Sequence, residues 1–83
     1  VYFTSFEAFR KALTPKRLEL LRLIKTKQPS SIIELARIAK RDVKNITDDV
    51  TYLAQIGLVV KKVANRKTAP VIAYDKLLLE IAV

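Results

Sequence analysis

Residues 30–60 read SSIIELARIAKRDVKNITDDVTYLAQIGLVV. Ser31-Ile32-Ile33-Glu34 sets a helix-capping serine three residues before a glutamate, the spacing of a capping box. It opens a short helix that runs to about Ala39. Lys40-Arg41-Asp42 then forms a polar corner, after which Val43, Ile46, Val50 and Leu53 recur at helical spacings. That pattern predicts a longer helix over 42–56, and Gly57 is suited to end it. The run Leu58-Val59-Val60 changes the texture from helical to β-rich.

Upstream, Thr4-Ser5-Phe6-Glu7 offers another capping box, opening a helix through Leu13. Thr14-Pro15 restarts the chain as cap and first helical residue, because a proline there loses no helical hydrogen bond. Leu18, Leu21, Leu23 and Ile24 supply the apolar face of a helix reaching about Thr26, and Pro29 closes the segment. Downstream, Leu58–Val63 and Pro70–Tyr74 flank the polar stretch Asn65-Arg66-Lys67-Thr68, a β-hairpin with a basic tip. Leu77–Val83 reads as a strand. The expectation is one mainly α domain with a small β-hairpin over 1–83: an N-terminal helix and dimer segment (1–13), a helical core (14–57), the hairpin (58–74) and an apolar C-terminal segment (75–83).

Composition narrows the function. The chain has 83 residues, sixteen Lys or Arg against eight Asp or Glu, and a net charge of +8. A surplus that large on one small body attracts polyanions. Cysteine and histidine are both absent, which removes disulfides, thiolate metal sites and the commonest general base. There is one glycine, hence no glycine-rich phosphate loop. No cofactor, metal or catalytic residue is expected, and no enzyme. No apolar run approaches a membrane span, and no signal peptide is apparent. The start at Val1 and the abrupt Leu-Leu-Leu-Glu-Ile-Ala-Val ending read as a fragment of a slightly longer protein.

The order helix, helix, short helix, sharp corner, longer helix, basic hairpin resembles winged helix-turn-helix DNA-binding regulators, nearest to the MarR/ArsR-like group of small bacterial and archaeal proteins. The residues that carry the resemblance are Thr14-Pro15-Lys16-Arg17-Leu18-Glu19-Leu20-Leu21, Ser31-Ile32-Ile33-Glu34-Leu35-Ala36, Arg41-Asp42-Val43-Lys44-Asn45-Ile46, then Asp49, Val50, Tyr52, Leu53 and Ile56-Gly57-Leu58-Val59. A small residue such as Ala36 lets the two helices of the motif (31–57) cross closely. Lys40-Arg41 stand where many such motifs carry glycine. The resemblance implies a three- to four-helix core with a two- or three-stranded antiparallel wing, and a cytoplasmic homodimer on palindromic double-stranded DNA. In that picture the longer helix enters the major groove and the wing grips phosphates or the minor groove.

At about 100° per residue, the side of the longer helix opposite its apolar stripe carries Arg41, Lys44, Asp48, Thr51, Tyr52 and Gln55, flanked by Asn45 and Thr47. Lys44 suits guanine, Asn45 adenine and Thr47 a thymine methyl. Asp48 faces outward among them and suits either a cytosine amino group or a protein partner. Asp42 reads as a cap, and Asp49 as a partner for Arg37 or a base on another helix. Lys61, Lys62, Asn65, Arg66 and Lys67 place positive charge and polar groups on the hairpin. Lysines on edge strands also guard against aggregation, but a hairpin tip needs no such guard. Ser30 and Ser31 sit at a helix start, where amides can hold a phosphate or the serines can simply cap. The basic helix 16–27 reads as a solvated face, with Lys16 or Arg17 as outlying phosphate contacts. Tyr2, Phe3, Phe6 and Phe9 read as core or dimer contacts ahead of a base-stacking platform. Protein–protein contact through the same motif, and RNA binding through the same basic surface, stay open as alternatives.

Overall fold

The computed structural model describes residues 2–80. They form β1 (Tyr2–Phe3), α1 (Phe6–Ala12), α2 (Pro15–Lys27), α3 (Ile32–Ala39), α4 (Val43–Gln55), β2 (Val59–Ala64), β3 (Lys67–Ile72) and β4 (Leu78–Leu79). The chain is thus mainly helical with a small antiparallel sheet, β2–β3. Among the described residues no helix is long and apolar enough to cross a membrane.

Each helix starts on a side chain that takes up a free backbone N–H. Thr14 Oγ1 accepts from the Arg17 amide at 3.3 Å with Pro15 in the first helical position. Ser31 Oγ accepts from the Glu34 amide at 3.0 Å, and Asp42 Oδ1 from the Lys44 amide at 2.9 Å. At α1 the cap is Ser5 rather than Thr4, its Oγ accepting from the Ala8 amide at 3.0 Å; a hydroxyl reaches three residues forward equally well from either position.

The helix ends explain the sharp corner. Lys40 lies in the left-handed region (φ 56°). Its amide donates to the Arg37 carbonyl and the Arg41 amide to the Ala36 carbonyl, a Schellman closure. Lysine thus fills the position glycine usually takes. Gly57 (φ 84°) closes α4 the same way, through Gly57 to Ala54 and Leu58 to Leu53.

The core lies between α2, α3, α4 and the base of the hairpin: Leu20, Leu21, Leu23, Ile24, Leu35, Ala36, Ile46, Val50, Leu53, Leu58 and Val59 are buried, with Ala12 and Leu13 beside them. Each large aliphatic side chain removed from water contributes about 1.5–3 kcal/mol. Two expected core positions are corrected. Leu18 is 39% exposed while Leu20 is buried, and Val43 is 43% exposed. Val43 begins its helix, where the apolar stripe has already run past the edge of the core.

The hairpin is tighter than expected. Lys67 and Thr68 belong to β3, leaving Asn65-Arg66 as a two-residue loop. Both have positive φ, 52° and 64°, the type I′ turn whose twist matches the strands. The Ala73 amide donates to Leu58 at 3.0 Å, so ladder alternation leaves the pair Lys61↔Pro70 without hydrogen bonds. Pro70 therefore sits in a strand without losing a ladder bond.

The C-terminal strand is present but does not extend the hairpin. Leu78–Leu79 instead pairs in parallel with Tyr2–Phe3, so the β2–β3 hairpin stays two-stranded. Phe3 and Phe9 meet edge to face at 5.6 Å. The strand expected through Val83 extends beyond the described residues, as does Val1.

Candidate nucleic-acid interface

Which side chains of α4 are free is decided by Asp49. Its two carboxylate oxygens are taken by Arg17 Nε (3.2 Å) and Arg41 Nη2 (2.8 Å), with about four-fifths of each side chain buried. Arg17 also donates to the carbonyls of Lys11 (3.2 Å) and Ala12 (3.3 Å). Its guanidinium lies 4.0 Å from the Tyr52 ring centroid, a cation–π contact. One arginine thereby ties the end of α1 and the start of α2 to the flank of α4. The expected partner for Asp49 is found on another helix, but it is Arg17, with Arg41 joining, and not Arg37.

Arg41 and Tyr52 consequently leave the free face. Arg41 is spent on Asp49, and Tyr52 is half-buried under Arg17. A helical side chain turned away from the apolar stripe is solvated only if nothing packs there, and here Arg17 of α2 does. What remains exposed are Lys44, Asn45, Thr47, Asp48 and Gln55, with Thr51 half-buried.

Val43, Thr47 and Thr51, spaced four apart, run along the side of α4 that faces the hairpin. Lys61 Nζ donates to Thr51 Oγ1 at 2.7 Å and braces the hairpin against α4. Side chains alternate along a strand, so Lys62 lies on the far face of the hairpin and is not gathered with the α4 residues. Thr47 Oγ1 donates back to the Val43 carbonyl at 2.8 Å, which uses its proton and leaves its methyl as the group to offer.

The hairpin tip meets the helices at a cleft of about 500 Å³ lined by Ser31, Ile32, Ile33, Arg37, Val43, Thr47, Arg66, Lys67 and Thr68. It gathers Ser31, Thr47, Arg66 and Lys67 from the expected set, while Arg37, Ile33 and Val43 are additions. Ile32-Ile33 carries a missed signal: adjacent helical residues diverge by about 100°, so both isoleucines cannot enter one core, and Ile33 is 62% exposed.

A phosphate at the start of α3 is disfavoured. The Glu34 carboxylate already accepts from the Ser30 amide (3.4 Å) and Ser30 Oγ (2.9 Å), while Ser31 Oγ caps. Ser30 and Ser31 therefore have local duties. On α2 the exposed pair Arg22–Glu19 (2.6 Å) fits the solvated-face reading. The hydrogen bond from Arg22 holds the Glu19 carboxyl below its usual range, and exposed pairs contribute little stability.

Residues 12–79 match the HVO_A0114 family. The chain belongs to the HVO_A0114 family. The matched span takes in α2 to α4, the hairpin and β4, and so the whole HVO_A0114 segment carries the cleft and the Arg17–Asp49–Arg41 cluster. No curated protein and no solved structure matches the chain. Among the described residues no group of three or more acidic, His or Cys side chains could hold a metal.

Proposed function

We propose that this chain is a winged helix-turn-helix that binds double-stranded DNA sequence-specifically as a transcription regulator. Helix α4 enters the major groove, and the β2–β3 wing grips phosphates or the minor groove. A major groove about 12 Å wide admits a helix. The free residues nearest the start of α4, Lys44 and Asn45, have the donors that match guanine and adenine edges, and Thr47 offers a methyl to thymine.

The observation that carries the reading is Arg66. It holds a left-handed conformation (φ 64°) in a two-residue turn where glycine is the favoured residue. A non-glycine residue in that region is under strain, and strain of this kind gathers at functional positions. The arrangement puts an exposed arginine at the tip of the hairpin, with exposed Lys67 beside it. A polyanion is the partner such a tip fits.

The reading extends to a cytoplasmic homodimer. Tyr2, Phe6 and Leu78 expose large apolar side chains around the β1–β4 pair, and a two-stranded sheet is marginal alone. A second copy covering that end would give a two-fold dimer for palindromic sites.

One observation favours a rival, protein binding through the same face: Asp48 is exposed in the middle of it, and a carboxylate repels phosphates. Fluorescence anisotropy on duplex DNA across a salt series separates the two. DNA binding predicts affinity falling by orders of magnitude with salt for several phosphate contacts, whereas flat or absent duplex binding sinks the proposal. RNA hairpins run in parallel test the remaining alternative.

A further inference from the structure

The cleft between the hairpin tip and the helices has a composition that phosphate binding alone does not account for. Ile33 is 62% exposed and Val43 43%, and both line it beside Thr47, whose hydroxyl is turned back onto its own helix. These are three branched aliphatic groups presented side by side to solvent. Around them stand Arg37, Arg66 and Lys67, and among the described residues no carboxylate lines the cleft.

On the reading of DNA binding given above, we infer that this cleft reads thymine C5-methyl groups. The methyls of Ile33, Val43 and Thr47 form an apolar floor, and the cationic rim holds the adjoining phosphates. In the major groove the thymine methyl is the one apolar feature that a base edge presents, and aliphatic side chains are its complement. An acidic amphipathic peptide would satisfy the same charges. DNA is favoured because Lys44, about 60° round α4 from Thr47, stands exposed beside the floor with Asn45 further round, and both carry donors that match base edges.

The test removes the methyl and nothing else. An A·T-rich duplex of about 20 base pairs is compared with the same duplex carrying deoxyuridine for every thymidine. The parent chain should bind the deoxyuridine duplex about fourfold more weakly for each methyl buried, with an unchanged salt slope. The variant I33A/V43A alters two exposed positions, keeps every charge and replaces one isoleucine by a better helix former. With the Thr47 methyl the one part of the floor left intact, it should discriminate between the duplexes less than the parent does, with circular dichroism verifying the fold. Equal affinity of the parent for the two duplexes, with steep salt dependence intact, overturns the methyl reading and leaves DNA binding standing. Discrimination undiminished in I33A/V43A also overturns it. Failure to bind either duplex, with binding of an acidic amphipathic peptide instead, overturns both readings.

Discussion

Arg66→Gly separates folding from binding at a single position. Arg66 has φ 64° in a turn whose other residue, Asn65, has φ 52°. A side chain in the left-handed region costs about 1–2 kcal/mol, less for a single turn residue than within a helix. Glycine removes that cost but adds about 0.5–1 kcal/mol of backbone entropy to the unfolded chain. The net is a stabilisation of about 0.5–1 kcal/mol, and for a domain this size each kcal/mol moves Tm by about 4–8 °C. Binding should move the other way. Loss of one phosphate contact lowers the slope of log K against log salt by about 0.9 and weakens duplex affinity several-fold at low salt. Arg66→Lys keeps both the strain and a charge, so it should stay near the parent in each assay. Thermal melts and anisotropy titrations on the three proteins give the answer. A Tm that falls in Arg66→Gly refutes the strain argument. Unchanged affinity and slope refute the assignment of the tip to nucleic acid, whatever the Tm does.

Four further outcomes are expected. Asp49→Asn leaves Arg17 and Arg41 facing each other without their carboxylate; discounting for the exposed fifth of these side chains, denaturant unfolding should show a loss of about 2 kcal/mol. Asn45→Ala should leave stability within about 0.5 kcal/mol and, in a selection from random duplexes, relax sequence preference while keeping the parent's salt slope. Lys40→Gly should stabilise the fold by at most about 1 kcal/mol, read as a higher Tm in thermal melts, by relieving another left-handed residue (φ 56°). Burial raises the Tyr74 phenol above its ordinary value of 10.0; the neutral form is the one the fold favours, so its contribution is complete below that value and is lost as pH rises through the folded one, which melts in alkaline buffers would register.

Short-range chemistry made much of this protein legible from its sequence. Thr14-Pro15, Ser31 and Asp42 cap helices, because a side chain two or three residues from a free amide acts wherever the chain folds. Gly57 ends α4 for an equally local reason. The alternation of textures at Leu58 marks where helix gives way to strand, and the turn residues Asn65-Arg66 lie within the stretch read as a hairpin tip. Ile46, Val50 and Leu53 declare one face of α4 by their spacing alone.

Tertiary packing decided what that spacing left open. Periodicity gives the direction of a face but not how far a neighbour overlaps it, so Val43 shares the spacing of the apolar stripe and is exposed, while Tyr52 on the opposite side lies under Arg17. Asp49 chose Arg17 and Arg41 because α2 passes beside α4, a fact with no local signature across 32 residues of chain. The parallel pairing of β1 with β4 is equally non-local: two-residue strands carry too little pattern to announce their partner. The cleft at Ile33, Thr47 and Arg66 joins three elements distant in sequence. Capping and turn formation depend on groups a few residues apart, whereas a surface is made by whichever elements the core brings into contact.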